Sequence, residues 1–168
     1  GLSLALFLWR SSRPHAAIVG RVPETEHFRN VDRHKVFTDP RLLTIRIDES
    51  LTYLNARWLE EFILEQVAEQ KTVRHVILMC SAVNAIDASA LESIEAINHR
   101  LEDSGISLHL SEVKGPVMDR LKRSHFLEQL SGKVFLSQNA AYSALIAIAD
   151  AEEEADKPVD MWNARGLI

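Results

Sequence analysis

The residues whose types and spacing could do chemistry meet at Asp87-Ala88-Ser89, where a carboxylate and a hydroxyl lie two positions apart. They stand between an apolar run, Val76-Ile77-Leu78-Met79-Cys80, and an amphipathic run that begins at Ala90-Leu91. Asp and Ser both accept hydrogen bonds from the free N–H groups of a helix start, and Ser89 followed by Glu92 fits the capping-box spacing. The same position suits an anion, because a helix N-terminus presents unpaired donors and the positive end of the helix dipole. Weak binding of an anion or a nucleotide phosphate therefore stays open. A committed nucleotide site does not, since neither G-x-G-x-x-G nor G-x-x-x-x-G-K-[ST] occurs.

The other reactive types are scattered. Seven His and one Cys include no H-E-x-x-H or C-x-x-C spacing, so no metal and no cofactor is expected. His99, His109 and His125 have no nucleophile beside them in sequence and are expected at the surface or in capping roles. Cys80, inside the apolar run, reads as a small buried hydrophobe. No catalytic residue emerges, and no enzyme is expected. Lys114, Arg120, Lys122, Arg123 and His125 gather positive charge on a chain whose formal net charge is -5. A solvated helix face is the ordinary reading of such a cluster, and contact with anionic headgroups or a partner domain is the functional one. The acidic balance argues against a nucleic-acid binder driven by counterion release.

These residues need a framework to hold them, and the hydrophobic pattern supplies one. Ala17–Val22 reads as an edge strand closed by Pro23, and Glu24–Lys35 as a polar, irregular linker. Leu42–Ile47 alternates inward Leu43, Ile45 and Ile47 with outward Thr44 and Arg46. A helix follows with Asn55 as its cap and Trp58, Leu59, Phe62, Ile63 and Val67 on one face. Val73–Cys80 is a central strand. Ala90–Asp103 is a helix that buries Ile94, Ile97 and Leu101, keeps Glu92, Glu95, His99 and Glu102 wet, and ends at Gly105. Ile106–Leu110 is the next strand, Gly115-Pro116 opens a short helix, and Val134–Leu136 is a short last strand. A final helix starts at Asn139 and runs through Ile148, and Glu152–Asp156 is an acidic, frayed exit. Strands alternating with helices predict an α/β fold with a mixed or parallel sheet of about four or five strands flanked by helices.

With 168 residues, 46% hydrophobic and 26% charged, the chain has the composition of one globular domain with tails. Leu2–Trp9 is apolar except for Ser3 and is followed by Arg10, Arg13 and Pro14, but a spanning helix needs roughly 20 apolar residues. The segment is expected to be the end of a transmembrane helix, with the arginines on the cytoplasmic side. A short amphipathic arm is the alternative. A signal peptide fits less well, because its charges precede the apolar run. The expected organisation is 1–13 for the helix end, 14–41 for linker and edge strand, 42–150 for the domain, and 151–168 for an acidic tail.

The Asp-x-Ser junction resembles the signature loop of STAS domains, found in anti-sigma factor antagonists and in the tails of SulP-family sulfate permeases. Three further segments are similar to the permease group: 20–25 continuing to Phe28-Arg29-Asn30-Val31, Glu49-Ser50-Leu51-Thr52-Tyr53-Leu54-Asn55-Ala56, and Leu110-Ser111-Glu112-Val113-Lys114-Gly115-Pro116-Val117, the last recurring in bacterial members. The resemblance implies a STAS fold on the cytoplasmic side of the bacterial inner membrane, as part of an integral anion transporter. It implies the transmembrane domain of the same transporter as partner, and regulation of transport and assembly through protein contacts. Asp87, Ala88 and Ser89 would form the regulatory or contact loop, and Lys114, Arg120, Lys122 and Arg123 a membrane or partner contact. A homodimer stays open, since an edge strand such as Ala17–Val22 could pair with a second copy. The alternative is a stand-alone, anti-sigma factor antagonist-like partner-switching regulator. In those proteins the residue after the Asp is a phosphorylated Ser, and here it is Ala88.

Overall fold

The structure, a computed structural model, describes residues 2–11, 16–21, 27–31 and 38–158. Pro23, most of the linker at 24–35, Arg13 and the tail from 159 onward lie outside them. In chain order the elements are α1 (Leu2–Ser11), β1 (Ala16–Arg21), β2 (Phe28–Asn30), β3 (Leu42–Ile47), α2 (Ala56–Glu69), β4 (His75–Met79), α3 (Ala88–Asp103), β5 (Ser107–Ser111), α4 (Gly115–Arg123), α5 (Phe126–Gln129), β6 (Val134–Phe135) and α6 (Gln138–Asp156). They build a six-stranded sheet in the order β2-β1-β3-β4-β5-β6. β3 to β6 run parallel, and β1 is antiparallel to both of its neighbours.

The sixth strand is β2, which falls in the segment read as irregular linker. Its three residues, Phe-Arg-Asn, carry too little periodicity to announce a strand, and pairing with β1 supplies what the local sequence lacks. The same pairing corrects the position of the first strand. β1 is flanked by β2 on one side and β3 on the other, so both of its hydrogen-bonding edges are used. Among the described residues, β1 is thus an interior strand, paired with β3 over Ala16–Val19 and with β2 over Val19–Arg21, and the edge position on this side of the sheet belongs to β2.

One face of the sheet packs Leu43, Ile45, Ile47, Val76, Leu78, Leu108 and Leu110 against Leu59 and Ile63 of α2, Ile94, Ile97 and Leu101 of α3, Val117 and Leu121 of α4, and Phe126 of α5. Each fully buried Leu, Ile or Phe contributes about 1.5–3 kcal/mol, so this layer is the main source of stability. Cys80 belongs to it, and burial pushes its thiol up to about 12, consistent with an inert hydrophobe. Gly105 ends α3 with a φ of 75°, the left-handed geometry that glycine adopts without strain.

The opposite face is covered by α6, through Ala141, Tyr142, Leu145 and Ala149 on Leu42 and Ile77. Thr44, read as outward, is buried here instead, because the sheet has no wet face at β3. Its Oγ1 accepts from Gln138 Nε2 at 3.0 Å, and Ser111 Oγ donates to Gln138 Oε1 at 2.5 Å. Ser137, two residues before the expected start, caps α6 by accepting from Ala140 N. The acidic stretch does not fray. α6 continues to Asp156 because Arg41, ahead of β3, ion-pairs with Asp150 at 2.8 Å and Glu153 at 3.2 Å, and His75 meets Glu152 at 3.3 Å.

His109 is also corrected: it lies buried under α6, with its Nε2 3.0 Å from His75 Nδ1, while His99 and His125 are exposed as expected. Its Nδ1 accepts from Lys133 N at 2.9 Å, which needs close approach of the segment before β6. Gly132 permits this, since a Cβ there would collide with the backbone oxygen of Leu108 and with the His109 ring. Among the described residues, no helix is long and apolar enough to cross a membrane. Gly132→Ala is expected to lower the unfolding free energy by about 3 kcal/mol, the upper range for overpacking, as a lower urea midpoint with unchanged m value.

Candidate functional site

The residues singled out in sequence lie at the C-terminal ends of β3, β4 and β5, where three loops meet. Backbone pairing joins the first two: Leu51 N donates to Ala85 O and Asp87 N to Leu51 O, both at 3.1 Å. Ser50 Oγ accepts from Asn84 N and Ala85 N at 3.2 Å. The third loop is tied on by Lys114, whose Nζ donates to Asn84 Oδ1 at 2.6 Å.

Asp87 is the joint between them. Its backbone is extended, with φ −87° and ψ 172°, as an N-cap requires, and Oδ1 accepts from Ala90 N at 2.8 Å. Oδ2 accepts from Tyr53 N at 2.9 Å, in the turn before α2. One carboxylate thus caps α3 and fastens the β3 loop to it. The expected capping role of Ser89 and its box with Glu92 is not formed, because Ser89 already lies inside the helix, where its exposed hydroxyl cannot reach back to the cap. Asn55 stands at the N-cap position of α2, but its side chain turns into the preceding loop. Oδ1 accepts from Thr52 N, and Nδ2 donates to Ser50 O, each at 3.0 Å.

The basic cluster divides. Lys114 belongs to the loop edge, Lys122 is exposed on another side of α4, and Arg120 and Arg123 line a cleft of about 380 Å³ between α4 and α3. The separation follows from a helix turning about 100° per residue, which puts positions 120 and 123 together and 122 away. The cleft has Ala88 and Leu91 in it and Glu92 and Glu95 on its α3 side, facing the arginines of α4. Sequence reading marked these two glutamates only as wet helix residues. Their partners across the cleft lie some 25 residues or more away in sequence, which helical periodicity cannot report.

No group of three or more His, Cys, Asp or Glu suited to a metal occurs among the described residues. Exposed groups at this edge are Ala88, Ser89 and Asn84, with Tyr53 69% exposed beside Asp87 and Leu136 94% exposed after β6. Asp87→Ala is expected to cost about 2 kcal/mol in a urea melt, since two backbone N–H groups lose their acceptor. Ser89→Ala should change stability by less than about 0.5 kcal/mol. Equal losses in the two variants would contradict the assignment of the cap to Asp87.

A family model described as the STAS domain matches residues 34–141. Sulfate transporter 1.3 of Arabidopsis thaliana is 31% identical over 148 residues, covering 82% of this chain and 23% of the plant protein. The murine solute carrier 26 family member A9 anion transporter, solved in its inward-facing state, is similar with a TM-score of 0.72 at 15% identity, over 89% of this chain and 24% of that one. The STAS domain of a SulP transporter from Vibrio cholerae is similar with a TM-score of 0.58 at 18% identity, over 72% of this chain and 93% of that one. At such identities the two structures speak to the fold alone. The chain spans about a quarter of the length of the curated relatives it matches. With a parallel core carrying an Asp-capped helix after its central strand, and relatives that are sulfate transporters, this chain belongs to the STAS domain family.

Proposed function

We propose that this chain is the cytoplasmic STAS domain of a secondary anion transporter of the sulfate-permease type, acting on transport and assembly through protein contacts and not through catalysis. The observation that carries this reading is likeness over 82% of the chain to a protein named a sulfate transporter, of which it spans only 23%. In this reading the remaining length is the membrane domain, and that domain is the partner. Residues 1–13 are then the end of its last helix, 14–41 the linker that contributes β1 and β2 to the sheet, 42–150 the domain, and 151–168 an acidic stretch that opens as the last turns of α6. The exposure of Leu2, Leu4 and Leu6 on α1 supports an apolar environment for that segment. The inner membrane of a bacterium is the proposed location, on the resemblance of residues 110–117 to bacterial members.

The contact surface in this proposal is the edge held by Asp87, with Ala88 and Ser89 presented outward. Ala88 supplies no hydroxyl where a partner-switching regulator carries its phosphate acceptor, which favours the transporter reading over the stand-alone regulator. Lys114, Arg120, Lys122 and Arg123 are the proposed contact with the membrane or the transport domain, with Lys122 the most freely placed. A homodimer and weak anion or nucleotide binding are further proposals that rest on the family alone.

The decisive experiment is to read the frame upstream of residue 1 and measure labelled sulfate uptake by the longer protein with and without residues 14–168. Several apolar spans of roughly 20 residues and a strong loss of uptake on deletion are expected. A start codon close upstream with no such span would sink the proposal. Lys122→Glu combined with Arg123→Glu is expected to weaken binding to anionic vesicles roughly thirtyfold, or about 2 kcal/mol at about 1 kcal/mol per basic residue. Unchanged vesicle binding and unchanged uptake would remove the basic contact.

A further inference from the structure

The buried histidine pair has a fixed direction. Lys133 N–H donates to His109 Nδ1 at 2.9 Å, so that nitrogen carries no proton and His109 holds its proton on Nε2. Nε2 faces His75 Nδ1 at 3.0 Å, which must then accept. His75 therefore holds its own proton on Nε2, directed at Glu152 Oε2 at 3.3 Å. The chain Lys133 N–H, His109, His75, Glu152 is complete with two ring protons.

A third proton has no place in it. On His109 it occupies Nδ1 and confronts the Lys133 N–H. On His75 it occupies Nδ1, which obliges His109 to turn Nε2 into an acceptor and move its proton to Nδ1, so the same N–H is confronted. Either route costs the Lys133 bond, and neither costs the bond to Glu152, which a charged His75 strengthens. The segment before β6 cannot slide to make room, because Gly132 already lies against Leu108 O and the His109 ring.

We propose that the His75–His109 pair is a proton-operated clasp, in which uptake of one proton breaks the Lys133 N–H bond to His109 and loosens β6 on β5, leaving Lys133 O on Leu110 N and Ser131 Oγ on Leu108 N, each at 3.0 Å, as the remaining ties, while the His75 contact to Glu152 of α6 is kept. The charged surroundings set its sensitivity. From α6, Glu152, Glu153 and Asp156 line the cleft of about 650 Å³ onto which His75 opens, and they favour the cation. Arg41 and Lys71 from the loops and Arg74 beside His75 oppose it, with Arg41 largely neutralised by Asp39, Asp150 and Glu153. Lys133 opposes it at His109, whose other ring neighbour is Phe135. Burial, His75 and Lys133 together push His109 down to about 4. The neutral, folded form is thus favoured above the ordinary His value of about 6.5, and the clasp opens as pH falls from there through about 4.

The test is ¹⁵N NMR of the imidazoles and amide hydrogen exchange on the whole chain between pH 7 and pH 4. Both rings should carry their proton on Nε2 at pH 7, and a ring protonated on Nδ1 overturns the proposal. As His109 titrates, protection at Lys133 N–H and β6 should fall more than tenfold while Leu145–Ala149 of α6 and the middle of α3 keep theirs. Retained protection at Lys133, or loss in β6 and α6 together, overturns it. Glu152→Gln preserves an acceptor for His75 but removes the charge that favours the cation, so the opening midpoint should move to lower pH, and an unmoved midpoint also counts against the clasp.

Discussion

Two hydrogen bonds to one carboxylate set the geometry on which the rest of the exposed edge depends. A helix that follows a parallel strand can leave it at many angles, and the loop between them is anchored in the core through Cys80, Val83 and Ile86 but needs its polar groups satisfied as well. Asp87 removes that freedom by accepting from Ala90 N inside α3 and from Tyr53 N in a different loop. The pairing of Leu51 with Ile86 then extends the sheet by a bridge beyond β3 and β4. Buried backbone groups that would otherwise lack partners are satisfied within the loops themselves. What reaches solvent is a stiff rim on which Ala88 and Tyr53 keep fixed relative positions. A surface of this kind loses little conformational entropy when something docks on it, which is the physical reason a contact domain would have such a rim.

The parts of this fold that were legible in sequence are those whose signal is local. The apolar run at Val76–Cys80, the 3.6-residue stripe through Ile94, Ile97 and Leu101, and Pro116 at a helix start each announce an element from nearby residues alone. The parts that were not legible depend on partners far along the chain. Thr44 looks outward in a period-2 pattern, yet Gln138 receives it 94 residues later. Glu152 looks like a solvated acid until His75 is placed beside it, 77 residues earlier. β2 is a strand only because β1 is there to pair with it.

At the site the division is the same. The Asp-x-Ser pattern located the junction, and the distinction between Asp87 as cap and Ser89 as a residue inside the helix turned on a shift of two positions, which boundary reading from sequence does not fix. The cluster of cations was visible as composition, but its division among the loop edge, the cleft and open solvent follows from helical phase and from Asn84. His109 was the clearest miss. A histidine in an alternating strand gives no sign of whether the second face of the sheet will be covered, and here that cover is a helix from the far end of the domain.

That helix has a consequence for how the chain is made. α6 is the last described element to leave the ribosome, and until it does, β3, β4 and β5 can assemble only with their α2 and α3 side closed. A nascent sheet with a wholly aliphatic second side would be a sticky intermediate. Thr44, His75, His109 and Ser111 place hydroxyls and imidazoles on that side, so water can wet it during the wait. The polar groups that α6 later seals are, during synthesis, what keeps the unfinished domain from associating with its neighbours.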